Sequence, residues 1–122
     1  MPEAKDARRR FGDRGEDLAA AFFMARGFSL VARNWRCRAG EIDLIMARGG
    51  RLHFIEIKTR RTTDYGHPEE AITPQKLQHL RRAIETYLQS APVQPWAYQA
   101  DALAIMLVPG GKPEFHYIEN IA

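Results

Sequence analysis

The chain has 122 residues, 45% of them hydrophobic and 27% charged, with a formal net charge of +3. That is the composition of one globular domain of ordinary core content, residues 1–122. A single cysteine, Cys37, excludes an intramolecular disulfide and a cysteine-rich zinc site, and no apolar run is long enough to span a bilayer; a reducing cytoplasm is the expected location.

The first twelve residues carry Arg8, Arg9 and Arg10 and are expected to be a basic, disordered N-terminal segment. A first helix is predicted over Asp13 to Arg26, with Gly27 as its stop. Leu18, Ala19, Phe22 and Phe23 form its core-facing stripe, and Glu16 sits at the head of that stripe. Glu16 reads equally as a third acid near the strands or as a first-turn carboxylate favouring the helix dipole.

Phe28 to Arg36 is predicted as a strand, followed by a turn through Gly40. Two β-rich runs follow, Glu41 to Arg48 and Arg51 to Thr59, separated by Gly49-Gly50. Glycine accepts the positive φ angles of a two-residue hairpin turn, so Arg48 should oppose Arg51. Extending that register puts Ala47/Leu52, Ile45/Phe54 and Asp43/Glu56 on one face, and Met46/His53, Leu44/Ile55 and Ile42/Ile57 on the other. Both faces are largely apolar, as in a sheet covered on both sides. Opposed carboxylates there repel, and a hard divalent cation such as Mg²⁺ or Mn²⁺ is the natural remedy. Lys58 falls on the same face. The bland alternative is a wet hairpin face on which Lys58 pairs with Glu41.

Residues 60–69 are polar and contain Tyr65-Gly66-His67-Pro68, a flexible loop and candidate flap, with Tyr65 the best stacking candidate. Thr73-Pro74 reads as the cap and first turn of a second helix running to about Gln89, with Lys76, Arg81 and Arg82 on its basic side. Tyr98 to Val108 and Glu114 to Glu119 are predicted as the last two strands, giving the order α-β-β-β-α-β-β in an α/β fold with a mixed sheet of about five strands. The second helix should cross over between parallel strands, right-handed. His53, His67, His79 and His116 show no ligand spacing; His53 is expected to pack on the face away from the acids, and Trp35 and Trp96 to serve in packing.

Asp43 followed by Glu56-Ile57-Lys58 resembles the Asp…Glu-x-Lys signature of the restriction-endonuclease-like nuclease superfamily, with Glu16 similar to the extra acid of archaeal-type Holliday-junction resolvases. Several motifs in order, Gly15-Glu16-Asp17-Leu18-Ala19, Arg33-Asn34-Trp35-Arg36, Gly40-Glu41-Ile42-Asp43, Glu56-Ile57-Lys58, Glu70-Ala71-Ile72 with Lys76, and Asn120, resemble the bacterial YraN family over nearly the whole chain. One departure is Ile42, where many superfamily members have proline.

The resemblance implies a restriction-endonuclease-like core and a Mg²⁺- or Mn²⁺-dependent endonuclease hydrolysing nucleic-acid phosphodiester bonds, with branched DNA as a possible target. Asp43, Glu56 and the Ile57 carbonyl would hold the metal, Glu16 a second ion or water, and Lys58 would orient the attacking water. Basic residues suited to phosphate are Arg14, Arg36, Arg60, Arg61 and Lys76. The expected partner is DNA rather than RNA, with no membrane, and a homodimer if a four-way junction is cut. The rival readings are a non-catalytic nucleic-acid-binding protein that keeps the fold, and a structural protein with no nucleic-acid role.

Overall fold

A computed structural model describes residues 4–61, 72–91 and 95–122, with side chains from Arg14 onward. Its elements are α1 (Ala4–Met24), β1 (Ser29–Cys37), β2 (Gly40–Arg48), β3 (Arg51–Arg61), α2 (Pro74–Ser90), β4 (Ala97–Leu107) and β5 (Glu114–Ile118). The strands form one five-stranded sheet in the order β1-β2-β3-β4-β5. Only β3 and β4 are parallel, joined through α2; the remaining pairs are antiparallel, so the sheet is mixed as expected.

Each face is covered by one helix. Ala19, Ala20 and Phe23 of α1 bury Leu44, Met46, Ile55, Leu103 and Ile105 on one side. Leu80, Ala83 and Ile84 of α2 bury Ile42, Ile45, Phe54 and Ala100 on the other. A central sheet so enclosed explains why both hairpin faces are apolar. Gly49 and Gly50, at φ 60° and 77°, make the tight turn, and the pairing runs from Arg48↔Arg51 to Leu44↔Ile55 in the predicted register.

Local signals set most boundaries. Gly27 ends α1 at φ 86°, and the Phe28 N–H donates to the Phe23 carbonyl at 3.1 Å in a glycine-terminated cap. Thr73, in extended conformation, caps α2: its Oγ1 accepts from the Lys76 N–H at 3.2 Å, with Pro74 in the first turn.

Four expectations are corrected. Trp96 is 91% exposed and does not serve in packing, and Ile42 buries with Ile45 against α2 instead of with Leu44 against α1, because the regular pairing ends at Leu44↔Ile55. The helix backbone begins at Ala4, well before Asp13, so most of the supposed tail is helical; Ala, Arg and Lys are strong helix formers and one glycine does not stop them. Arg60 and Arg61 belong to β3, because Met106 and Leu107 of β4 pair with them. The rest of the expected flap, with Tyr65, lies outside the described residues.

Beneath α1 lies a buried polar cluster. Asp101, 0% exposed, takes the Tyr117 hydroxyl at 2.5 Å, the Gln99 amide at 2.8 Å and the Asn120 N–H at 3.0 Å, with His53 Nδ1 at 2.8 Å. Burial and then Asp101 hold the Tyr117 hydroxyl well above its ordinary pKa, so it stays a donor. His53 therefore packs on the face predicted for it.

Candidate metal and phosphate site

The regular β2–β3 ladder stops one residue short of the acids. In an unbroken hairpin the Ile57 N–H would donate to the carbonyl of Ile42; here it donates at 2.8 Å to Asp43 Oδ2. Asp43 thus reaches across to the neighbouring strand and is fixed beside Glu56. Both acids line one cavity of about 220 Å³, together with Gly40, Glu41, Lys76, His79 and Leu80.

Charge in this cavity is unbalanced. The Asp43 carboxyl is raised to about 7, first by burial and then by the charge of Glu56, while the Ile57 N–H pulls the other way. Glu56 is also raised by burial, against the opposing pull of Lys58 and Lys76. Lys58 Nζ stands 3.8 Å from Glu56 Oε1, close enough to attract and too far for a hydrogen bond. Lys76, exposed on the first turn of α2, is lowered chiefly by the Lys58 amine against it. Two half-buried carboxylates that resist joint ionisation thus face two ammonium groups that crowd each other. An ion bearing two positive charges between the acids, and a phosphate between the lysines, would relieve both strains.

The other predicted residues divide by place. Arg60 is near enough to Lys76 to depress it, and so stands at this site. Arg36 is taken up by Glu41, 3.1 Å away and paired with it across β1 and β2; Glu41 therefore does not pair with Lys58. Arg14 and Arg61 line a separate cleft of about 270 Å³ against the turn from Val108 to Pro113. Glu16 accepts from Asn34 Nδ2 at 2.6 Å and Arg33 Nη2 at 3.4 Å, and its charge raises Asp43 less than those of Glu56 and Glu41 do. Among the described residues no three His, Cys, Asp or Glu side chains gather as a metal-holding group. The donor set still suits Mg²⁺, which commonly takes one or two carboxylates and keeps several waters.

Glu41, His79 and Gly40 line the cavity without having been expected there. A Cβ on Gly40 would stand 3.4 Å from the His79 carbonyl oxygen, so β2 begins hard against α2. The available signals were the helical spacing of His79 from Lys76 and the glycine at the strand's start.

Comparison with known proteins places the chain. The profile described as "Uncharacterised protein family UPF0102" matches residues 15–105. The chain belongs to the UPF0102 family. This is the YraN family that the motifs resemble. Among its relatives, a UPF0102 protein of Leifsonia xyli subsp. xyli is 44% identical over 110 residues, 90% of this chain and 93% of that protein. One from Pseudarthrobacter chlorophenolicus is 38% identical over 120 residues, 98% and 89% of the two chains. One from Neisseria meningitidis serogroup B is 41% identical over 110 residues, 90% and 92% of the two. The UPF0102 match takes in Glu16, Asn34, Asp43, Glu56, Lys58 and Lys76 together.

Proposed function

We propose that this UPF0102 protein is a divalent-metal-dependent endonuclease acting on nucleic-acid phosphodiesters, of the restriction-endonuclease-like kind. The observation that carries the reading is the half-buried pair Asp43 and Glu56 in one cavity, with Lys58 3.8 Å from Glu56 and Lys76 on the rim. Asp43 and Glu56, with the Ile57 carbonyl, would hold Mg²⁺ or Mn²⁺. Such an ion lowers the pKa of water and neutralises charge on a phosphate.

The chain's own residues divide the remaining work. The Ile57 N–H fixes one oxygen of Asp43, leaving the other for coordination. Lys58 places a positive charge where the phosphorus gains its fifth ligand, and orients the attacking water. Lys76 and Arg60 bind the non-bridging oxygens of the scissile phosphate or the next one. Glu16, held by Asn34 and Arg33, adds negative potential from the α1 side and acts on water at most.

The test is incubation of the purified protein with Mg²⁺ or Mn²⁺ and a panel of linear, flapped and four-way-junction DNA and matching RNA, beside an Asp43→Asn control. Cleavage by the wild type alone supports the reading and shows which substrate is preferred. Equal cleavage by both proteins, or none by either across the panel, rules it out.

A further inference from the structure

We infer that Asn34 is the positioning residue of the acid pair: its left-handed backbone turns β1 over, and that turn moves Ile42 to the α2 side and frees the Ile57 N–H to fix Asp43 beside Glu56. The geometric part stands by itself; its consequence for cation binding rests on the function proposed above.

Asn34 lies within a strand, yet its φ is 50°. Asn tolerates that region better than most residues, and β-branched residues are effectively excluded from it. Around it the pairing of β1 with β2 keeps one register, Arg33↔Leu44 and then Trp35↔Ile42, which places Asn34 opposite Asp43. Paired residues of a regular ladder share a face, and the faces alternate. Here that rule fails at one place. Arg33 bonds Glu16 and Asp17 on α1, and Leu44 packs in the α1 cluster. One step further, Trp35 packs on Tyr87 of α2 and Ile42 lies in the α2 cluster. The odd step falls at Asn34 and Asp43, whose side chains part company. Asn34 goes to Glu16 at 2.6 Å, and Asp43 goes to the Ile57 N–H and the cavity of Glu56.

Had Asn34 kept an extended backbone, Trp35 and Ile42 would return to the α1 side. The Ile57 N–H would then recover its ordinary strand partner, and Asp43 would lose the bond that fixes it. Glu16 anchors the arrangement from the helix. Gly15 lets α1 come close enough for that contact, since a Cβ there would clash with Thr59 Oγ1.

The experiment compares Asn34→Gly, Asn34→Ala and Asn34→Val by NMR-detected amide exchange at Ile57, with Mn²⁺ affinity measured on the same proteins. Glycine adopts the conformation freely, so Asn34→Gly should hold Ile57 exchange within about three-fold of wild type. Asn34→Val should speed it by about ten-fold or more while Ile55, inside the ladder, keeps its rate; Asn34→Ala falls between and serves if the valine variant does not fold. Mn²⁺ affinity should follow the same order, falling by about ten-fold or more at its weakest. Equal protection of Ile57 in folded glycine and alanine variants overturns the inference. Wild type that takes up no Mn²⁺, with Ile57 responding in the stated order, removes the cation reading and upholds the positioning role. Mn²⁺ uptake with Ile57 indifferent to all three does the reverse.

Discussion

Asp43 is held in its place at a cost. Its carboxyl titrates at about 7 because burial and Glu56 disfavour the charged form. A carboxyl raised in the folded state binds a proton there that the unfolded chain has already released. Its stabilising effect is therefore complete below the unfolded value near 4 and is lost as pH rises through about 7. Metal-free protein should accordingly be more stable at pH 5 than at pH 8, by at most about 3 kcal/mol, in urea titrations. Asp43→Asn should flatten that slope and melt above wild type at pH 8, and saturating Mg²⁺ should reverse it. An unchanged slope in Asp43→Asn would assign it to other groups. In the proposed hydrolysis, Lys58→Met should reduce cleavage by about 10²-fold or more while Mn²⁺ affinity holds, because the lysine would serve the phosphate and not the ion. The opposition of Asp43 and Glu56 was legible, since hairpin parity follows from Gly49-Gly50 alone. What the parity argument could not reach was the ladder's early end, the Ile57 bond and the turn at Asn34. One asparagine in a strand says nothing certain about φ.

At the scale of elements, the site depends on how closely three of them approach. α1 meets β3 through Gly15, where an added Cβ would overlap Thr59 Oγ1. Gly15→Ala should therefore destabilise by about 1–3 kcal/mol in chemical denaturation. Thr59→Ala in the same chain should restore much of that loss, and a strictly additive double mutant would show that the two do not meet. α2 delivers Lys76 through its cap, so Thr73→Ala should cost about 1 kcal/mol of stability. Element order and the β3–β4 crossover were readable from periodicity and turn residues. The ends were less so where a neighbour overrules local character: Arg60-Arg61 looks like loop, but the edge of β4 extends past Thr59 and pairs with both.

Across the whole molecule, the two faces of the sheet do different work. The α2 face opens at one end into the acid cavity, while the α1 face buries Asp101 under His53, Tyr117 and Gln99. Asn120 takes φ 57° and turns its N–H onto Asp101, a structural role in the buried cluster. Asp101→Leu should cost about 3 kcal/mol or more, because it strands several buried donors. Mn²⁺ affinity should survive in the folded fraction; a parallel loss of both would join the network to the site. In the sequence Asp101 is simply the residue ahead of the apolar run from Ala102 to Val108. Its partners come from β3, β4, β5 and the closing segment, a convergence that becomes visible only after the strands are ordered.

The proposed function requires Asp43 and Glu56 to share one divalent cation. Isothermal titration of Mn²⁺ into wild type, Asp43→Asn and Glu56→Gln at pH 8 tests it most directly. Wild type should take up one ion per chain, and each variant should lose that binding with its fold intact. Uptake that is the same in all three proteins would contradict it, as would a folded wild type that takes up no ion.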